Sequence, residues 1–202
     1  MKLTRRQTMA GTASLLTLAP LAMARAASGE DDGIGGVEDI VNVAWSTVAP
    51  NPREEIEFED AVYLNEVVET DDESALVIKF SDGSKLTLGE NSRLVIDQYV
   101  YNPGDGDGVQ AITLAKGAFR FLSGQLPKNK VKLSTPSVSI GIRGTELIFD
   151  VAEDGETELS AISGEAACTD GDGEVLNVMA DESIVVGANR RFRGKVRKWC
   201  RR

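Results

Sequence analysis

The chain has 202 residues, 42% hydrophobic, 27% charged and only 5% aromatic, with a formal net charge of −10. That is one globular domain plus tails, with enough apolar material for a real and mostly aliphatic core. Histidine is absent and cysteine occurs twice, which excludes Ser-His-Asp and Cys-His catalysis, histidine metal ligation, a four-cysteine zinc site and the usual iron–sulfur ligation.

The charges are segregated. Lys2, Arg5, Arg6 and Arg25 lie in the first 25 positions, and eight more cations lie in residues 190–202. Between them ten cations stand against all 32 acids, leaving that stretch at −22. An acidic body with a basic tail does not read as a nucleic-acid-binding domain.

Residues 1–27 read as an export signal. Lys2, Arg5 and Arg6 form a positive start, residues 9–24 a short apolar run, and Ala24-Arg25-Ala26 a small-x-small cleavage pattern. Thr4-Arg5-Arg6-Gln7-Thr8-Met9 resembles a twin-arginine signal, with Thr8 where Phe is usual; an ordinary secretory signal and an uncleaved anchor are the alternatives. The expected location is the periplasm or outside the cell. Residues 28–36 (SGEDDGIGG) are polar and glycine-rich, and are expected to be a linker.

From residue 37 to 187 the pattern predicts one all-β domain of many short strands, a sandwich or a solenoid-like stack. Residues 37–48 and 60–69 fit either period, and their Val and Ile content favours strand. Leu76, Ile78 and Phe80 alternate with Val77 and Lys79, and Leu86 and Leu88 resume after Ser81-Asp82-Gly83-Ser84, which predicts a hairpin at Asp82-Gly83. Leu94, Ile96 and residues 99–101 follow, then a loop over residues 102–108 (NPGDGDG), then Ile112, Leu114, Phe119 and Phe121, then Val131 and Leu133. Val138, Ile140 and Ile142 alternate with small residues; Leu147, Phe149 and Val151 make the next run. Five residues from Ile142 to Leu147 is an odd step, so a bulge or bend is expected at Gly144. The last strands are expected near residues 159–162, 166–168, 175–179 and 184–186, and residues 188–202 as a basic tail.

Three patches resemble the FecR-type domain of exported and periplasmic bacterial proteins. They are residues 76–101 (LVIKFSDGSKLTLGENSRLVIDQYVY), residues 114–121 (LAKGAFRF) with Ser123-Gly124, and residues 135–145 (TPSVSIGIRGT). The resemblance covers about residues 60–164 and implies a compact, solenoid-like or sandwich all-β domain outside the cytoplasm. In the family's namesake such a domain is the periplasmic part of a membrane-spanning sigma-factor regulator. This chain is expected to lack the cytoplasmic segment and the second receptor-binding domain, which leaves a stand-alone module. Gly83, Gly117, Pro136, Gly141, Gly144 and Thr145 are its structural motif positions, Gly141 and Gly144 for close approach or bending.

Candidate site residues are few. Arg143 is expected to be partly buried and paired with Asp82 or Asp97 as a fold clamp, because a buried guanidinium without a partner costs several kcal/mol; the alternative is an arginine that receives an anionic ligand. Asp82-Gly83 reads as a turn, with a ligand role for Asp82 as its alternative. Asp105 and Asp107, and Asp170 and Asp172, alternate acids with glycine as calcium loops do, without completing a twelve-residue loop; acidic turns are the plainer reading. No cofactor other than calcium is a candidate. Cys168 and Cys200 form a bridge closing a loop of about 30 residues, worth roughly 3–4 kcal/mol in an oxidising compartment, or stay separate thiols. Ser84-Lys85 carries no supporting motif for a nucleophilic dyad, so no enzyme is expected. The basic tail, with Phe192 and Trp199, fits an anionic lipid surface, the acidic body of a neighbour, or a free solubilising extension. The expected function is a non-catalytic binding or sensory module of the envelope, with another envelope protein or anionic component as partner. The alternatives are a calcium-stabilised surface or adhesive protein and a relay in a receptor-linked sigma system.

Overall fold

The computed structural model describes residues 33–144 and 146–198, with the backbone alone at Lys128. The export signal, most of the linker, Thr145 and Cys200 lie outside the described residues. Seventeen strands run through the described residues, with one short 3₁₀ turn at Lys128–Lys130. All are joined in one hydrogen-bonded network, which is two nine-stranded sheets sharing a single long strand.

The chain moves between the sheets in steps of one or two strands. β1 (Gly35–Val41), β4 (Ala61–Val62), β6 (Ala75–Phe80) and β7 (Lys85–Leu88) belong to sheet 1. β2 (Ala44–Thr47), β3 (Glu54–Glu55), β5 (Val67–Thr70) and β8 (Arg93–Asn102) belong to sheet 2. β9 (Asp107–Leu122) belongs to both. Its residues 107–116 pair with β8, and its residues 117–122 face β7 and β12 (Glu146–Val151) in sheet 1. Afterwards β10 (Val131–Ser134), β11 (Ser139–Ile142), β14 (Glu165–Thr169) and β15 (Val175–Met179) extend sheet 2. With β12, the strands β13 (Thr157–Ser163), β16 (Glu182–Val186) and β17 (Arg197–Lys198) extend sheet 1. Every pairing is antiparallel except β9–β10. There the chain leaves β9 in sheet 1, returns through residues 123–130 and runs alongside the first half of β9.

The inward faces of the two sheets meet in one apolar cluster. In sheet 1, Leu86–Phe121–Leu147 and Leu88–Phe119–Phe149 are cross-strand rows through β7, β9 and β12. In sheet 2 the row is Ile96–Ile112–Leu133–Ile140–Cys168. These side chains are at most 2% exposed, and each contributes about 1.5–3 kcal/mol of apolar burial. The core is aliphatic, as composition predicts, but four phenylalanines (Phe80, Phe119, Phe121 and Phe149) sit at its centre.

The strand that changes sheets also changes phase. Gln110, Ile112 and Leu114 point inward from sheet 2, then Phe119 and Phe121 from sheet 1. The odd step spans Ala115, which the β8–β9 register skips, and Gly117 at φ +108. The step from Ile142 to Leu147 has the same cause, since β11 and β12 lie in different sheets, and Gly144 turns the chain at φ +65. The expected feature at Gly144 is therefore a bend between sheets, not a bulge within a strand. The β8–β9 register skips one residue at two places, Asp97 on β8 and Ala115 on β9.

The structure departs from the sequence expectation at three places. The linker ends earlier than residue 36, because Gly35 and Gly36 are already strand; a side chain at 35 would come within 2.5 Å of the Lys79 carbonyl. The loop over residues 102–108 is tighter, since Asn102 pairs with Asp107. The tail is no free extension as far as Lys198. Phe192 packs against the core and bridges to Val186, and β17 closes the edge of sheet 1 against β16. Arg191 meets Asp172 at 2.9 Å and Arg193 meets Glu156 at 2.7 Å, so these cations lie on the chain's own acidic body.

Candidate functional site

The Asp82 hairpin is the most polar point of the interior. β6 and β7 are joined by a tight turn, with Gly83 N–H donating to the Phe80 carbonyl at 2.9 Å and Gly83 at φ +81. That geometry turns Asp82 inward, where it is fully buried. Its Oδ1 accepts from Ser84 N–H at 3.1 Å, Ser84 Oγ–H at 2.6 Å and Tyr99 O–H at 3.3 Å. Its Oδ2 accepts from Leu126 N–H at 3.4 Å. Asp82 N–H donates back to the Tyr99 oxygen at 2.8 Å, and its carbonyl accepts from Gln125 N–H at 2.8 Å. One carboxylate thus ties together the β6–β7 turn, β8 and the segment after β9. Gly124 permits this approach, because a Cβ there would lie 2.3 Å from Ser84 N. Tyr99 also stacks on Phe80 across the sheets, at 5.5 Å between centroids. Burial, and secondarily the Asp82 charge, push its hydroxyl well above the usual tyrosine range, so it stays a proton donor.

Asp82 therefore faces the interior and not a ligand. Ser84 is equally buried and donates to Asp82, while Lys85 points to Glu38, with Nζ–O at 2.6 Å. The two adjacent side chains do not meet as a dyad. Lys85 holds the half-buried Glu38 carboxyl below its ordinary range.

A second buried polar group comes from residues 135–137. Thr135 Oγ1 lies 2.8 Å from Thr157 Oγ1, and Ser137 Oγ donates to the same atom at 2.9 Å. Pro136 packs on Gly155, where φ is +90 and a Cβ would come within 2.9 Å of the Pro136 ring. These residues dock the β10–β11 turn on the β12–β13 turn. Gly141, by contrast, is exposed, and a Cβ there would meet nothing closer than 4.0 Å, so close approach is not its role.

Arg143 departs from expectation. Its side chain is 63% exposed, and it pairs with Glu165 at 3.7 Å, not with Asp82 or Asp97. Asp82 is sealed in the core and Asp97 stands on the β8 bulge. The alternation places residue 143 beyond the last inward position of β11, on the bend that leads to β12, so the guanidinium reaches solvent. An exposed pair of this kind contributes at most about 1 kcal/mol. Arg143 is not a clamp.

The acidic loops are turns. Asp105 and Asp107 sit at the β8–β9 hairpin tip, where Asp105 and Gly106 N–H both donate to the Asn102 carbonyl. Asp170 Oδ1 accepts from Asp172 and Glu174 N–H, each at 2.9 Å, and Asp172 pairs with Arg191. Among the described residues no cluster of three or more His, Cys, Asp or Glu is arranged to hold a metal ion.

Cys168 is a free thiol at 0% exposure in the inward row of sheet 2. Burial pushes its pKa up to about 12, so it serves as a small hydrophobe. In a Cys200→Ser variant, Cys168 is expected to resist Ellman's reagent in the native protein and to react only on unfolding; rapid native labelling would contradict this placement.

One surface cluster is not foreshadowed by the sequence pattern. Trp45 Nε1–H donates to Asp71 at 2.8 Å, and Arg53 lies over the Trp45 ring at 4.3 Å with Glu69 and Asp71 beside it. It fastens β2 and β3 onto β5 and occupies the aromatic face with the chain's own arginine. The only signal is a lone Trp at an outward strand position, which periodicity cannot link to an arginine eight residues on.

Among the described residues no helix is long and apolar enough to cross a membrane. No curated protein matches the chain. Two crystal structures of a candidate anti-sigma factor from Parabacteroides distasonis are similar at 13% identity, with TM-scores of 0.49 and 0.48. Each match covers 65% of this chain and 58% of that one. The family described as FecR protein matches residues 66–167, from the start of β5 to β14, which takes in the Asp82 hairpin, the Gly117 switch and the Arg143 bend. The chain belongs to the FecR family.

Proposed function

We propose that this protein is a non-catalytic, exported protein-binding module in envelope signalling. The observation that carries this reading is the family match over residues 66–167 together with how the motif residues are used. Asp82 and Thr135 hold the fold from inside and Gly117 admits a close backbone approach, while Arg143 stands 63% exposed on a loose ion pair. An exposed arginine on the bend between β11 and β12 is a suitable anchor for a protein partner. Export rests on the arginine, apolar and small-residue layout of residues 1–27.

The test is chemical cross-linking of the full chain in envelope extract, with wild type and Arg143→Glu side by side. Arg143→Glu is expected to cut capture of the partner about tenfold or more while the melting temperature stays unchanged. Equal capture by both proteins, or turnover of a substrate by the purified chain, would overturn the reading.

A further inference from the structure

The four sheet edges are not protected alike. An edge strand offers unpaired N–H and C=O groups, and folds blunt such edges by shortness or charge. Sheet 1 ends in β4, which is two residues, and in β17, which is Arg197-Lys198. One end of sheet 2 is β3, which is Glu54-Glu55. The other end is β15, five uncharged residues reading VLNVM. Val175 is 57% exposed and Met179 49% exposed there.

The ladder shows which backbone groups β15 leaves free. Asp170 N–H donates to the Glu174 carbonyl at 3.0 Å, so 170 and 174 form a hydrogen-bonded pair. Antiparallel pairs alternate, and the register of β14 with β15 is unbroken. Leu176 and Val178 therefore spend their backbone groups on β14. Val175 and Asn177 direct theirs off the edge, and the Met179 N–H that points the same way is taken by Glu182 Oε2 at 2.9 Å. Among the described residues, what remains is a short, open backbone template.

Its side chains specify the occupant. Leu176 is half-buried and ends the inward apolar row that contains Cys168. On the outer face an uncharged row crosses sheet 2 as Val95–Thr113–Ser134–Ser139–Thr169–Val175. An added strand needs an apolar residue beside Leu176 and β-branched or small residues on the other face. Exposed Glu174 and Asp181 bracket β15, with no ion pair to either among the described residues. A second copy would bring its own acids against these, whereas a strand with basic ends is attracted to them.

We infer that β15 is a β-augmentation site that takes an extended segment of a partner protein, about five alternating apolar and β-branched residues flanked by Lys or Arg. This rests on the protein-binding reading above and supplies its surface.

Asn177→Pro tests it cleanly. It removes an N–H that faces away from β14, so the native ladder is kept. The probe is a fluorescein-labelled peptide, Lys-Lys-Val-Thr-Val-Thr-Val-Lys-Lys, followed by anisotropy with the full chain. Saturable binding is expected, weakened at least about tenfold by Asn177→Pro and by exchanging the probe's lysines for glutamates. Amide exchange on the wild type is expected to show new protection at Val175 and Asn177. No saturable binding, equal binding by Asn177→Pro, or equal binding of the glutamate probe would overturn the proposal. So would a wild-type dimer that Asn177→Pro converts to monomer, since the occupant would then be a second copy. Arg143-dependent capture that persists in Asn177→Pro would sink the edge site and leave the protein-binding reading standing.

Discussion

Asp82→Ala is expected to cost about 3–5 kcal/mol, because it strips the acceptor from several buried donors at once. The substitution removes the partner of Ser84 N–H, Ser84 Oγ–H, Tyr99 O–H and Leu126 N–H. Each buried donor left without a partner costs about 1–3 kcal/mol. Ser84 Oγ can turn elsewhere, but the backbone groups cannot. In a chain of this size that loss lowers Tm by roughly 10 °C. Asp82→Asn keeps the shape and one acceptor, yet sets an NH₂ against either Leu126 N–H or the Ser84 and Tyr99 donors. Its expected cost is smaller, about 1–3 kcal/mol. Thermal unfolding of both variants measures this; an unchanged Tm for Asp82→Ala would mean that the carboxylate does not tie the three segments together.

Gly117→Ala is expected to be as damaging or worse, for a steric reason. Gly117 stands at φ +108, which L residues rarely adopt, and a Cβ there would lie 2.1 Å from Ser92 Oγ and 2.5 Å from Ser92 Cα. Ser92 is itself fixed, because it donates its N–H to Thr70 Oγ1 at 3.0 Å. Trimming the Ser92 side chain leaves the clash with its backbone in place. The expected loss exceeds about 4 kcal/mol, and Ser92→Gly does not rescue it. Gly106→Ala is the matched control. It also has positive φ, at +63, but nothing lies within 4 Å of its Cβ position, so its cost is about 1–2 kcal/mol. Equal losses at 106 and 117 in urea unfolding would show that β9 does not change sheets at a crowded glycine.

Period-two alternation made most of the strands legible, because one face of each sheet is buried and the other is not. The Asp82-Gly83 hairpin was readable from turn chemistry alone. The change of sheet in β9 also leaves a mark in the sequence. Leu114 to Phe119 is the same odd step as Ile142 to Leu147, with a glycine inside it. An odd step marks a change of facing without saying whether a bulge or a second sheet produces it. Pairing partners were beyond reach, since alternation carries no information about which strand lies alongside. The sequence therefore offers Asp82 or Asp97 as partners of Arg143, while its neighbour in the fold is Glu165, at the start of β14. The tail is hard to read in the sequence for a related reason. Its eight cations suggested solvent, while Phe192 and Val196, which pack against the core, were too sparse to announce a strand.

The buried Asp82 holds the fold and the exposed Arg143 does not. Urea unfolding of Asp82→Asn and Arg143→Met in parallel tests it most directly. A lower midpoint with an unchanged slope is expected for Asp82→Asn, and a wild-type curve for Arg143→Met. A wild-type curve for Asp82→Asn, with a lowered midpoint for Arg143→Met, would contradict it.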